Sequence, residues 1–173
     1  AQFADASHYF IANSTRLLTD YGWHKGDAFI NFMRGVIESK TGNGDIAFGE
    51  LKVLTGFSLY ITGTNLTQQC AEIYSDEHTS GMKVVDALRI STCIPMFYRA
   101  IKEKRDNKEH ILVDGGLVWN CPIDIFDQKH YIHNPTNLLM SQRDFPYVKN
   151  METIGFKLDP HIDPLVEMRL RKP

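Results

Sequence analysis

The feature that most constrains this chain is a short apolar run, Ile111-Leu112-Val113, that passes directly into Asp114-Gly115-Gly116. Three branched aliphatic residues in a row cannot put a polar face towards water. They predict a short strand buried on both sides. Two successive glycines then let the backbone turn sharply and let another group approach it closely. An acid at the carboxyl end of a buried strand stands where ligands bind in open α/β sheets. A carboxylate held there can act as a general base. On the tripeptide alone, the plainer reading is a turn in which Asp114 accepts a hydrogen bond from its own backbone.

The surrounding pattern places that strand in an α/β fold. Asp27 follows Gly26 and is expected to cap a helix in which Phe29, Ile30, Met33, Val36 and Ile37 form one apolar stripe, closed by Thr41-Gly42-Asn43-Gly44. A shorter helix is expected over Phe48 to Leu54, stopped by Gly56. Leu59 to Thr64 is β-branched and reads as a central strand, and Cys70 to Tyr74 as a second. Met82 to Ser91 is helical again, with Pro95 unable to continue it. Pro122 opens a further helical turn carrying Ile123 and Phe126, and Thr153 to Leu158 is a late strand. Asn134-Pro135 and Phe145-Pro146 mark an irregular connection between the two. Strands alternating with helices predict a mainly parallel sheet flanked by helices. The mixed-charge run Lys102 to His110 reads as a solvated loop.

Composition narrows the function. Of the 173 residues, 43% are hydrophobic and 23% charged, which excludes a disordered or collagenous chain. Nineteen basic against 21 acidic residues give a net charge of −2, so no global field draws in a nucleic acid. No apolar run approaches the ~20 residues of a membrane span, and the first residues have no signal-peptide pattern. Cys70, Cys93 and Cys121 are odd in number and form no CxxC pair, which points to a reducing, cytoplasmic setting rather than to disulfides or a zinc site. His130 and His133, three apart, have the spacing of metal ligands on a helix, but Tyr131, Asn134 and Pro135 around them indicate a loop. No cofactor or metal is called for. Neither GxxxxGK[ST] nor GxGxxG is present, so a nucleotide-binding domain lacks support.

With its neighbours, the Asp114 segment resembles the patatin-like phospholipase family. Asp114, Gly115 and Gly116 match that family's DGG motif, Leu117 and Val118 its apolar continuation, and Asn120 with Pro122 its N-x-P element. Upstream, Asp86, Ala87, Arg89, Ser91, Ile94 and Pro95 are similar to the helix ending that precedes the aspartate strand. Leu59 to Leu66 is similar to a mid-domain strand that usually ends Thr-Asp-Leu and here ends Thr64-Asn65-Leu66. The Gly22-to-Asp27 segment leading into the Phe29 helix is also similar. The likeness runs over residues 20 to 160.

The resemblance implies a three-layer α/β/α domain and a serine–aspartate dyad, with Asp114 taking the proton of a serine in a GxSxG turn. It also implies an acyl-ester substrate such as a phospholipid or lysophospholipid, met by peripheral contact with a membrane. No GxSxG and no glycine-rich oxyanion loop occur in these residues. The expectation is therefore that residues 1–173 are one partial domain. Its first strand and nucleophile turn would lie before Ala1, leaving this chain inactive alone and dependent on that missing part or a partner. The alternative is a patatin-fold binding or scaffold module that never carried the serine. Among the serines present, Ser91 falls in the matched region and reads as a packing or hydrogen-bonding residue. None of the seven histidines has the setting of a Ser-His-Asp triad. Trp119 and Met96-Phe97-Tyr98 flank the motif and offer an apolar entrance, though they read first as core side chains.

Overall fold

A computed structural model describes residues 17, 19–137 and 148–156. The chain divides into two compact units, Ala1–Asn120 and Cys121–Pro173.

In the first unit, strand β1 (Gly22–His24) leads into helix α1 (Asp27–Thr41). The residue that caps this helix is Gly26 rather than Asp27. Its φ of 82° is left-handed, and Asp27 becomes the first helical residue, where its charge meets the positive end of the dipole. Gly42, at φ 77°, closes α1, and Gly56, at φ 76°, closes α2 (Phe48–Thr55), both as the sequence predicts. Strands β2 (Ile61–Asn65) and β3 (Cys70–Tyr74) follow, then α3 (Val84–Ser91), β4 (Met96–Tyr98), β5 (Ile101–Arg105) and β6 (Lys108–Asp114).

The chain is mixed α/β, but its sheet is not mainly parallel. Four strands run in the order β3-β2-β6-β5, and every neighbouring pair is antiparallel. Only the separate two-stranded pair β1-β4 is parallel among the described residues. For two of the three pairs the reason is local. Four residues link β2 to β3, and only Asp106-Asn107 links β5 to β6, connections too short for the crossover that a parallel pair needs. Asp106 and Asn107 both have positive φ, 49° and 61°, the type I′ pattern that matches strand twist.

The same hairpin corrects the reading of Lys102 to His110 as a loop. Four of its charges, Lys102 to Arg105, sit on β5, the edge strand, where exposed Lys and Glu discourage pairing with another chain, and Lys108 and Glu109 open β6. The Thr153-to-Leu158 strand is also not found over its described part: residues 153–156 are irregular, and 157–158 lie outside the described residues. So does Phe145-Pro146.

The core lies where α3 covers the sheet. Ile46, Phe48, Ile61, Tyr74, Val84, Ala87, Ile90 and Leu112 form one buried cluster. Burying a leucine such as Leu112 fully contributes about 1.5–3 kcal/mol. Strand β2 is the keystone, as its β-branched sequence suggests: Ile61, Gly63, Thr64 and Asn65 are all buried.

At the other end of β2 the sheet face carries a polar knot. Asn65, fully buried, accepts from Gln68 N through Oδ1 at 3.0 Å. That fixes its amide, so Nδ2 donates to Glu72 Oε1 at 2.6 Å and to His110 Nδ1 at 3.0 Å. Arg105 donates to both Glu72 oxygens, at 2.7 and 3.1 Å, and Tyr74 Oη donates to Oε2 at 2.8 Å. Burial alone would raise the Glu72 carboxyl, but the hydrogen bonds from Arg105, Asn65 and Tyr74 outweigh it and hold it below its ordinary value of 4.5. A depressed folded pKa stabilises the protein above that ordinary value, and the contribution is lost as pH falls through the folded one. Glu72→Gln is therefore expected to lower stability near neutrality and to flatten the acid limb below that ordinary value of 4.5. Urea midpoints measured from pH 7 to pH 3 test this, and parallel curves for the two proteins would show that the knot does not couple folding to protons.

In the second unit, Pro122 precedes a 3-10 turn at Ile123–Phe126, close to the helical turn expected there. Asn150 N donates to Asp127 Oδ1 at 2.7 Å, and Asn150 Nδ2 donates to the Phe126 carbonyl at 3.0 Å. Glu152 accepts from the backbone of His133 and Asn134, contacts that hold its carboxyl low, the Asn134 N–H foremost. Ile125, Ile132 and Val148 are buried.

Candidate active site

Asp114 is the last residue of β6 and half-buried. In the ladder it faces Gly63 of β2, which in turn faces Glu72 of β3. Its backbone is gripped from two sides. Asp114 N donates to the carbonyl of Cys93, just past α3, at 3.0 Å. Its own carbonyl accepts from the hydroxyl of Thr64 at 2.9 Å. The carboxylate Oδ1 accepts from Gly116 N at 2.7 Å, so the local turn bond does form. Oδ2 accepts no hydrogen bond among the described residues. The acid is thus fixed through one of its two carboxylate oxygens.

Gly115 and Gly116 open a 3-10 turn, Gly115–Leu117, in which the Gly115 carbonyl accepts from Val118 N and Trp119 N. Gly115 is buried against β2: a Cβ there would stand 2.5 Å from both the carbonyl oxygen and Oγ1 of Thr62. No side chain fits in that space, which explains the first glycine of the pair. Asn120 lies beside the second, its Oδ1 3.3 Å from where a Gly116 Cβ would be.

The remaining expected residues are placed as follows. Ser91 ends α3 and Pro95 follows it, both half-buried. Pro122 belongs to the second unit. Cys93 is fully buried, with Sγ 3.1 Å from the Arg99 carbonyl. Burial pushes its thiol up, outweighing the Arg89 guanidinium, so it is no ready nucleophile. Among the described residues no group of three or more His, Cys, Asp or Glu could hold a metal ion.

Met96 and Phe97 correct their reading as core. They are 69% and 49% exposed, as are Ile94 (52%), Leu117 (55%) and Val118 (56%). Five apolar side chains, on β4, just before it and in the turn after Asp114, are therefore at the surface. Strand β4 is too short and too close to a sheet edge to bury both faces. A cavity of about 700 Å³ in this unit lies elsewhere, between α3 and the strands β3 and β5, and does not include Asp114. Three of its charges are spent on one another, in the Arg105 pairs with Glu72 and Glu103.

Sequence reading missed the two partners that grip Asp114, the Thr64 hydroxyl and the Cys93 carbonyl. Thr64 was visible as a polar residue in a buried strand. The Cys93 carbonyl had no signal, because a backbone acceptor is silent in sequence.

The patatin-like phospholipase family profile matches residues 2–127. The chain belongs to that family. It is 32% identical over 85 residues to a probable lipid hydrolase, 463L, of Invertebrate iridescent virus 6, a match covering 49% of this chain and 28% of the viral protein. It is 29% identical over 114 residues to the uncharacterized protein YqhO of Bacillus subtilis (strain 168), covering 62% of this chain and 37% of that protein. The matched stretches thus span only about a third of either relative's length. No solved structure matches. Among the described residues no helix is long and apolar enough to cross a membrane.

Proposed function

We propose that this patatin-like chain supplies the aspartate half of a lipid acyl hydrolase, with Asp114 as the proton acceptor of a serine–aspartate dyad. The serine lies outside these 173 residues, which form part of one patatin-like domain. The observation that carries the reading is Asp114 itself: a strand-end carboxylate anchored by Gly116 N through Oδ1, with Oδ2 unclaimed among the described residues. Family membership and the viral relative's description as a probable lipid hydrolase support a lipid ester as substrate.

In this mechanism Oδ2 takes the serine proton as the serine oxygen attacks the ester carbonyl. The alcohol leaves as the tetrahedral intermediate collapses, taking up the proton. Water then releases the acid from the acyl-enzyme, with Asp114 again the base. The exposed apolar set Ile94, Met96, Phe97, Leu117 and Val118 suits an acyl chain or the surface of an aggregate that delivers one.

A serine-directed fluorophosphonate is expected to label the full-length protein and to leave the isolated 173-residue chain unlabelled, with no turnover of a short-chain ester by the latter. Labelling or turnover by the isolated chain would place the nucleophile within it. A full-length protein that takes no label would favour the binding-module alternative.

A further inference from the structure

We propose that Thr64 is a positioning residue for Asp114, an inference that rests on the dyad reading above. Thr64 is 1% exposed and is the fourth of the five residues of the keystone strand. A buried hydroxyl must find a partner or cost about 1–3 kcal/mol. This one donates across strands to the Asp114 carbonyl at 2.9 Å. Its backbone already has a place in the β2-β6 ladder opposite Val113, so the side-chain bond is an addition to the ladder.

The carbonyl it holds belongs to the peptide joining Asp114 to Gly115, the pivot at which the strand becomes a 3-10 turn. Two neighbours complete the clamp. Cys93 O holds Asp114 N, and Thr62 presses against Gly115. Freeing the carbonyl would let the peptide plane rock about the Asp114 Cα. The carboxylate hangs from that atom, and so does its Oδ1 bond to Gly116 N. Small errors in the direction of a proton acceptor are costly, because reacting groups need aligned geometry. Thr64 therefore acts on the carboxylate through the backbone, without touching substrate.

The test uses the full-length protein, p-nitrophenyl butyrate and four variants. Thr64→Val keeps the shape and loses the donor, and is expected to lower kcat about tenfold, the worth of one neutral hydrogen bond. KM should stay within about twofold, since the residue acts on proton transfer rather than on ester binding. The second-order rate of fluorophosphonate labelling should fall by the same factor. Thr64→Ser restores the hydroxyl and is expected to recover kcat. A role in packing alone would make the serine variant, which leaves a methyl-sized gap, the worse of the two. Full kcat in Thr64→Val, or equal losses in valine and serine variants, overturns the proposal. Should Thr64→Val not fold, Thr64→Cys, a weaker donor of serine's shape, is read against Thr64→Ser, and equal kcat in those two overturns it. Asp114→Asn measured alongside separates the two claims. If Asp114→Asn is dead and Thr64→Val unimpaired, only the positioning role falls; if Asp114→Asn retains turnover, both fall.

Discussion

In the full-length protein, Asp114→Asn is expected to lower ester hydrolysis by about 10²–10⁴-fold, the usual worth of a general base, or about 3–5 kcal/mol of transition-state stabilisation. The substitution isolates the chemistry. An asparagine Oδ1 still accepts from Gly116 N, so the turn that Asp114 makes at 2.7 Å persists. The backbone contacts from Cys93 and Thr64 do not involve the side chain at all. What is lost is the second oxygen's ability to take a proton. The loss should appear in kcat with the thermal midpoint nearly unchanged, and hydrolysis within twofold of the parent would remove Asp114 from the mechanism.

Gly115→Ala should do the opposite, damaging fold and activity together. The added methyl would meet the Thr62 carbonyl and hydroxyl at 2.5 Å, in a buried position between β2 and the turn. Neither oxygen is the free end of a long side chain, since one is backbone and the other sits one bond from Cβ. The turn must shift, or β2 and β6 must part at Gly63 and Asp114. Overpacking of this kind costs about 1–3 kcal/mol. Denaturant midpoints and hydrolysis rates of full-length Gly115→Ala measure both losses. A stability equal to the parent's would show that the turn has slack the described geometry lacks.

How much of this could be read from letters alone follows the range of each interaction. Helices α1 and α2 were legible because their stops, Gly42 and Gly56, are local signals of backbone handedness. Strand β2 was legible because Ile61, Thr62 and Thr64 are β-branched, which suits a pleated strand better than a helix. The direction of the sheet was not. Alternation of strand and helix suggested crossovers, whereas the short links fold the strands back on their neighbours. Asp106-Asn107 carried the hairpin signal, but the flanking charges masked it, and an edge strand tolerates charges that a central one cannot. Asp114 could be singled out because strand, acid and glycines are contiguous. The clamp around it could not, because Thr64 and Cys93 reach it from 50 and 21 positions away.

That hairpin has a practical use. Its two-residue tip lies at one end of β6 and Asp114 at the other, with Lys108–Asp114 between them. Six residue steps of extended chain span about 20 Å. A dye or epitope spliced between the exposed Asp106 and Asn107 would sit in solvent, about that distance along the strand from the carboxylate.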